Sequence, residues 1–200
     1  LPQGGWRRVL LVNGFMPGEP DTWSQDLDIV DGTVRCLESH TEFDFKGEAF
    51  VPFGEKTVAV SMTLTAKERP LNVTLGIQFL PPNHPRIIGR QEGLRWTYTS
   101  YGLMVNEGET VLSAAPETFR LAPGESRRVT RLLAFSDAIR RHPGLTKDYD
   151  ALYREHAAGW VAFRAEGQVS LPEPALQRMH DMANFHLRMN ATPWSFPVGL

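Results

Sequence analysis

The sequence is poor in the features that usually announce a function. It has one cysteine, Cys36. A single thiol cannot form an internal disulfide, so no disulfide scaffold holds the fold together. That usage fits a reducing compartment, and a cytoplasmic location is the expectation. No apolar run approaches the roughly 20 residues needed to cross a bilayer, so no membrane partner is expected. Charge of one sign is not in excess either: the formal net charge is -2 over 200 residues. That balance gives no electrostatic reason to expect a nucleic-acid partner. Apart from Gly4-Gly5 the glycines occur singly, with neither a G-x-G-x-x-G run nor a P-loop, so a phosphate cradle is not expected. The chain opens on Leu1 rather than Met, and its N-terminus reads as incomplete.

What is present is alternation. The hydrophobic share of 42% is ordinary for a globular chain. Residues 6–12 (WRRVLLV) are rich in strand formers. Residues 27–30 and 33–37 flank Asp31-Gly32, which predicts a hairpin closed by a two-residue type I′ turn. Phe43 and Phe45 alternate with Glu42, Asp44 and Lys46. Val58, Val60, Met62 and Leu64 share one face of residues 56–66. Leu71, Val73, Leu75, Ile77 and Phe79 repeat the pattern over 71–80. The short link at Glu68-Arg69-Pro70 predicts that these two strands are antiparallel neighbours. Residues 81–95 read as a polar surface loop. Trp96, Tyr98 and Ser100 lie on one face of the next strand, with Tyr101 and Leu103 on the other. Val129, Arg131, Leu133 and Phe135 alternate in a long strand after a Pro-Gly turn. Eight or more short strands predict a mainly β protein built on a large antiparallel β-sandwich.

The period changes near residue 142. Leu145, Tyr149, Leu152, Tyr153, His156, Trp160 and Phe163 fall on one face of a helix. A second helix starts near Pro172–Pro174, where proline suits the first turn. Leu176, Met179, Met182, Ala183, His186 and Met189 give it a broad apolar face, wide enough to need other helices. Three parts follow: a sandwich at 1–141, a helical linker at 142–171, and the start of a helical domain at 172–200.

Candidate chemistry is sparse. His180 and His186 are about 240° apart around one helix, so they cannot share a metal, and no metal site or cofactor is expected. Cys36 sits in a strand without a nucleophile signature, and there is no G-x-S-x-G elbow. Asp26 with Asp28, and Glu42 with Asp44, could be read as carboxylate pairs but are more simply solvated strand faces. Glu166 reads as a linker residue and Glu173 as a helix-start residue, with Asp181 on the second helix. Trp96, Tyr98 and Tyr101 could stack on sugar rings or pack in a core. Two sequons begin at Asn72 and Asn190 and matter only on a secreted eukaryotic chain. No catalytic residue is assigned.

The order of parts carries a resemblance. An L-x-P-G-E-S run (121–126) enters the last strand. A helix with His156 and Trp160 follows, then V-S-L-P (169–172), then a Met-rich helix and P-V-G-L (197–200). This resembles the N-terminal part of a six-hairpin glycosidase, most like the family 65 glycoside hydrolases and phosphorylases. The resemblance implies a supersandwich-type β domain, a linker helix and the first helix of a truncated (α/α)6 barrel. It implies a non-catalytic portion of an enzyme acting on glycosidic bonds, with catalytic carboxylates beyond Leu200. Trp194, Pro197, Gly199 and Leu200 would then sit where the barrel mouth begins. An oligo- or polysaccharide would be met through the barrel, and a homodimer is possible in such enzymes. Two rivals remain at this stage. One is a stand-alone carbohydrate-binding sandwich using Trp96, Tyr98 and Tyr101. The other is an assembly domain whose second helix docks on a partner.

Overall fold

The computed structural model describes residues 19–52, 55–77, 87–101, 105–137, 145, 147–167 and 169–190. Among the described residues, ten strands and two helices follow in order. The strands are β1 (Thr22–Asp28), β2 (Thr33–Ser39), β3 (Phe43–Phe50), β4 (Thr57–Ala66), β5 (Leu71–Leu75), β6 (Ile87–Glu92), β7 (Arg95–Tyr101), β8 (Val105–Leu112), β9 (Glu117–Leu121) and β10 (Ser126–Asp137). The helices are α1 (Tyr149–Glu166) and α2 (Pro174–Asn190). Eight strands form one antiparallel sheet in the order β1-β2-β3-β4-β10-β8-β7-β6. β5 and β9 form a separate antiparallel pair.

The mainly β expectation therefore holds, with a large antiparallel sheet and two helices after it. Among the described residues the two layers of the sandwich are unequal, eight strands against two. The two-stranded pair lies over the middle of the large sheet. Val60, Met62 and Leu64 of β4, Val129 and Leu133 of β10, and Leu71, Leu75 and Leu121 of the pair meet in one core. Successive strand residues face opposite ways, so the alternate residues of β4 and β10 supply a second surface. There Ala59 and Leu132, with Phe50, receive Tyr149 and Leu152 of α1. β4 is consequently apolar or small on both faces, and its alternation in sequence is only partial.

Two expectations about connections are corrected. β5 does not pair with β4: both edges of β4 are taken, by β3 and by β10. Residues 67–70 instead carry the chain from one sheet to the other, and β5 pairs with β9. A short link with a proline serves a change of layer as well as a hairpin, and only the pairing of β10, far along the chain, decides between them. Second, the β1–β2 turn is not type I′. Asp28 pairs with Thr33, so four residues, 29–32, form the loop. Within that loop only Gly32 has a positive φ, 65°, and no non-glycine residue does among the described residues. Asp28 accepts from the Val30 amide at 2.8 Å and Asp31 from the Thr33 amide at 3.0 Å. These side-chain caps stabilise a wider turn with aspartate in ordinary backbone geometry.

The stretch 81–95 is also more regular than a loop. From Ile87 it is β6, then a turn at Gly93 (φ 58°), then the first residue of β7. Residues 81–86 lie outside the described residues.

Candidate functional site

The most elaborate side-chain arrangement lies where the β1–β2 loop meets α1. Arg35 of β2 reaches back to the loop, its Nη1 2.8 Å from Asp28 and its Nη2 2.7 Å from Asp31. Glu48 of β3 stands 3.5 Å from the same guanidinium. Burial pushes the Asp31 carboxyl up, but hydrogen bonds from Arg35 and Thr33 outweigh it and leave the pKa below its ordinary value. A carboxyl held ionised in this way cannot serve as a general acid near neutral pH. The cluster instead fixes the loop, which presents its backbone to α1. Arg164 of α1 donates to the Ile29 carbonyl at 2.7 Å. The Tyr153 hydroxyl lies 3.4 Å from Asp31. Gly32 lies directly under the indole of Trp160, so close that a Cβ built there would stand 2.6 Å from its Nε1.

α1 is positioned for this by its own sequence. Asp148 caps it, accepting from the Ala151 amide at 2.7 Å. Tyr149, Leu152, His156 and Trp160 then fall on its buried face. This is the face expected from the spacing, with Leu145 packed just ahead of the helix. Burial pushes the Tyr149 hydroxyl up to about 12.

His156 is 2% exposed and stacks on Phe50, with centroids 4.7 Å apart. Trp160 meets it edge-on. Burial lowers its pKa, opposed by a weaker attraction from Asp31. The linkage has a definite sign. A histidine whose folded pKa lies below 6.5 is protonated first in the unfolded chain as pH falls. Its contribution is complete above 6.5 and declines as pH drops toward the folded value. His156→Phe is expected to flatten the loss of stability between about pH 7 and pH 5, read by denaturant unfolding at each pH. A steeper acid-side loss in the variant would contradict it.

α2 continues from the same place. Leu171 donates its amide to Gln177 Oε1 at 2.8 Å, tying the linker to the first turn. Pro174 opens the helix as expected. Phe185 is buried and stacks on Trp160, with centroids 5.4 Å apart and planes 12° apart. Arg188 lies over the Phe163 ring at 5.5 Å. The remaining half-buried residues on that side, Gln177, His180, Asp181 and Asn184, are polar and hydrogen-bond to one another. The apolar side faces solvent: Met179 is 69% exposed, and Leu176, Met182, Leu187 and Met189 are exposed with it. Sequence reasoning identified this face and missed Phe185. The signal was there, since Phe185 is the one aromatic residue of α2 apart from its histidines, and it stands off the methionine stripe.

The other sequence candidates scatter. Trp194, Pro197, Gly199 and Leu200 lie outside the described residues. Trp96 is 2% exposed and stacks on Tyr98 in the core, covering Gly89. That removes Trp96 from any sugar-stacking platform and gives it the packing role. The Tyr101 side chain is outside the described set. His180 pairs with Asp181 at 3.3 Å, while His186 packs edge-on against Phe185. No group of three metal-ligating side chains occurs among the described residues. Cys36 lies in β2, and burial followed by the neighbouring Glu38 raises its pKa. That is the setting of an inert thiol rather than a nucleophile. Asp44 is bound by Ser39 and Lys67, while its sequence partner Glu42 is exposed. Glu166 and Glu173 are exposed. No described helix is long and apolar enough to cross a membrane.

No protein-family model matches this sequence, and no curated protein matches it. Among solved structures the chain is similar to a phosphorylase. That structure is described as a putative kojibiose phosphorylase from human microbiome, with a TM-score of 0.38 and 9% identity. The match covers 84% of this chain and 25% of that one. The chain thus spans about a quarter of the length of the structure it resembles.

Proposed function

We propose that this chain is a non-catalytic portion of a carbohydrate-active enzyme, a glycoside hydrolase or phosphorylase. Residues 1–141 are its sandwich, 142–171 its helical linker, and 172–200 the start of an (α/α)6 barrel that holds the substrate site. The observation that carries this reading is the inverted packing of α2. Its polar side is turned toward α1, with Phe185 on Trp160 and Arg188 over Phe163, and its apolar side is turned away. A helix that ended its role at this contact would bury its methionines in it. One that begins a helical domain presents them to the next helices. The β1–β2 loop, α1 and Trp160 then form the bracket that sets the direction of α2. The motif order around 121–126, 169–172 and 197–200 supports the same reading.

The test compares the 200-residue chain with a longer product of its reading frame. Met179→Lys with Met182→Lys is expected to leave the melting temperature of the shorter chain within about 2 °C, since surface changes usually stay within about 0.5 kcal/mol. The same pair is expected to unfold or inactivate the longer product. Glycosidic-bond turnover by the longer product alone completes the expected result. Equal tolerance in both forms, or a reading frame without helical hairpins after Leu200, would overturn the proposal.

A further inference from the structure

α1 meets the sheet in two halves. The first half is fastened at the helix start: Arg128 of β10 pairs with Asp150 at 2.9 Å, and Tyr149 and Leu152 pack on Phe50, Ala59 and Leu132. The second half is held by His156 stacked on Phe50, Trp160 over Gly32, and Arg164 on the Ile29 carbonyl. α2 is joined to that half by Phe185 on Trp160. A row of rings, Phe50, His156, Trp160 and Phe185, thus runs from β3 to α2, with successive centroids 4.7, 6.3 and 5.4 Å apart. His156 is the member of the row that can gain a proton near neutral pH. Both its ring nitrogens are shut off from water. From the β1–β2 loop, the Asp31 backbone and carboxylate act on the ring, and Arg35 in turn holds Asp31. From β3 the uncharged Phe50 covers it, while Glu48 is turned to Arg35 and Lys46. From β10, Arg128 lies over the Tyr149 ring. α1 itself adds Tyr149 and Tyr153, edge-on to Phe50, and α2 adds His186, edge-on to Phe185.

We infer that the second half of α1 is a proton-gated joint: protonation of His156 lifts residues 156–166 from the sheet and carries α2 with them, while the sheet and the first half of α1 stay folded. A protonated imidazole bears a full charge and two N–H donors. Burial opposes that charge, and the Asp31 backbone and carboxylate offset only part of the penalty. The proton is therefore taken more readily where water reaches the ring. The second half is the easier one to open. Its release exposes Trp160 and frees Arg164, whereas release of the first half also breaks the Arg128–Asp150 pair and uncovers Ala59 and Leu132. Openings of single segments well below the global unfolding free energy are the general behaviour of folded chains. One proton links this opening to pH. Its equilibrium constant rises by up to about tenfold per pH unit below 6.5, and levels off once the closed joint is protonated as well. Asp31 stays ionised over that range, so it adds no second proton. The joint involves only the sheet, α1 and α2, and does not rest on the proposed barrel.

Hydrogen exchange of the 200-residue chain, read by mass spectrometry between about pH 7.5 and pH 5 and corrected for the intrinsic rate, follows the opening segment by segment. Protection over 156–166 and 174–190 is expected to fall by up to about tenfold per pH unit below 6.5. β4, β10 and the first turn of α1 are expected to change by less than about twofold over the same range. His156→Phe keeps a ring in the row and removes the proton, and is expected to hold the protection of both helices flat. An NMR titration of the His156 ring in the unmodified chain gives a reading that needs no variant: a midpoint below 6.5, in step with the loss of protection. Loss of protection in β4 together with α1 would make the event global unfolding and overturn the inference. So would flat protection in the unmodified chain, or a His156 midpoint at or above 6.5. A His156→Phe profile with the parent's slope overturns it too, because the proton would then belong to another group such as His40 or His186.

Discussion

Gly32→Val is expected to destabilise the protein by about 2–5 kcal/mol, the sum of a backbone and a packing cost. Gly32 has a φ of 65°, a left-handed conformation that costs a residue with a Cβ roughly 1–2 kcal/mol. Its amide also donates to the Asp28 carbonyl at 2.8 Å, so the loop cannot easily rotate away. The packing cost is separate. A Cβ at this position would lie 2.6–2.8 Å from three atoms of the Trp160 indole. The indole is itself held between Phe185, Phe163 and His156, and is 3% exposed. Relief requires α1 to lift from the sheet or Trp160 to leave its rotamer, at roughly 1–3 kcal/mol. Gly32→Ala shares the backbone cost and most of the clash, and is expected to fall slightly below valine. Urea unfolding followed by tryptophan fluorescence measures both. The second expectation is local: protection from hydrogen exchange should fall in α2 more than in β4, because Phe185 of α2 stacks on Trp160 of α1. A Gly32→Val protein as stable as the parent would mean that Trp160 does not sit over this loop.

The strands of the large sheet were legible because their side chains alternate. β3, β4, β7 and β10 read directly, since one face of each meets the buried core around Leu64 and Leu133. α1 was legible for the same reason at a different period, its buried residues coming at the spacing of one helix face. What escaped was how strands choose partners. The link at 67–70 looks like a hairpin because local chemistry alone cannot report that β10, some 60 residues later, takes the free edge of β4. The β6 strand escaped because Gly89 and the charges at Arg90 and Glu92 resemble loop chemistry. Among the described residues β6 is paired on one side, by β7, and glycine and charge suit such a position. At the junction, the methionine face of α2 was visible in sequence, but Phe185 was not recognised as the anchor. A single aromatic residue off a hydrophobic stripe has no periodicity of its own, and its meaning depends on Trp160 being across from it. Gly32 was correctly seen as a turn residue. That it is also the floor beneath an indole could not be read from the turn.

Glu117→Ala is expected to cost about 2 kcal/mol, more than an exposed ion pair would, because of what it leaves behind. Arg131 points from β10 into the space between the two sheets and is 4% exposed. Its guanidinium donates to the Thr130 carbonyl at 2.8 Å, the Ala115 carbonyl at 2.6 Å and Glu117 at 2.9 Å. Glu117 is the only carboxylate among these partners, and it also receives Arg127 at 3.0 Å. Removing it strands a buried cation on two carbonyl dipoles. The partial exposure of Glu117 tempers the cost, since water can reach the vacated side. Arg131→Met together with Glu117→Leu removes both charges at similar volume, and is expected to recover most of the loss, because a buried pair often has an apolar substitute of equal stability. The pH dependence separates this account from simple packing. Hydrogen bonds from Arg131 and Arg127 hold the Glu117 carboxyl below its ordinary value of 4.5. A carboxyl depressed on folding adds stability above its unfolded value, and that contribution is lost as pH falls through the folded value. Glu117→Gln should therefore flatten the decline of stability between about pH 5 and pH 3, while leaving the profile above pH 6 parallel to the parent's. Asp44 has its carboxyl lowered by Ser39 and Lys67, so a residual decline must persist in the variant. A parallel profile down to pH 3 would show that Arg131 draws nothing from Glu117, and that the two carbonyls alone satisfy it.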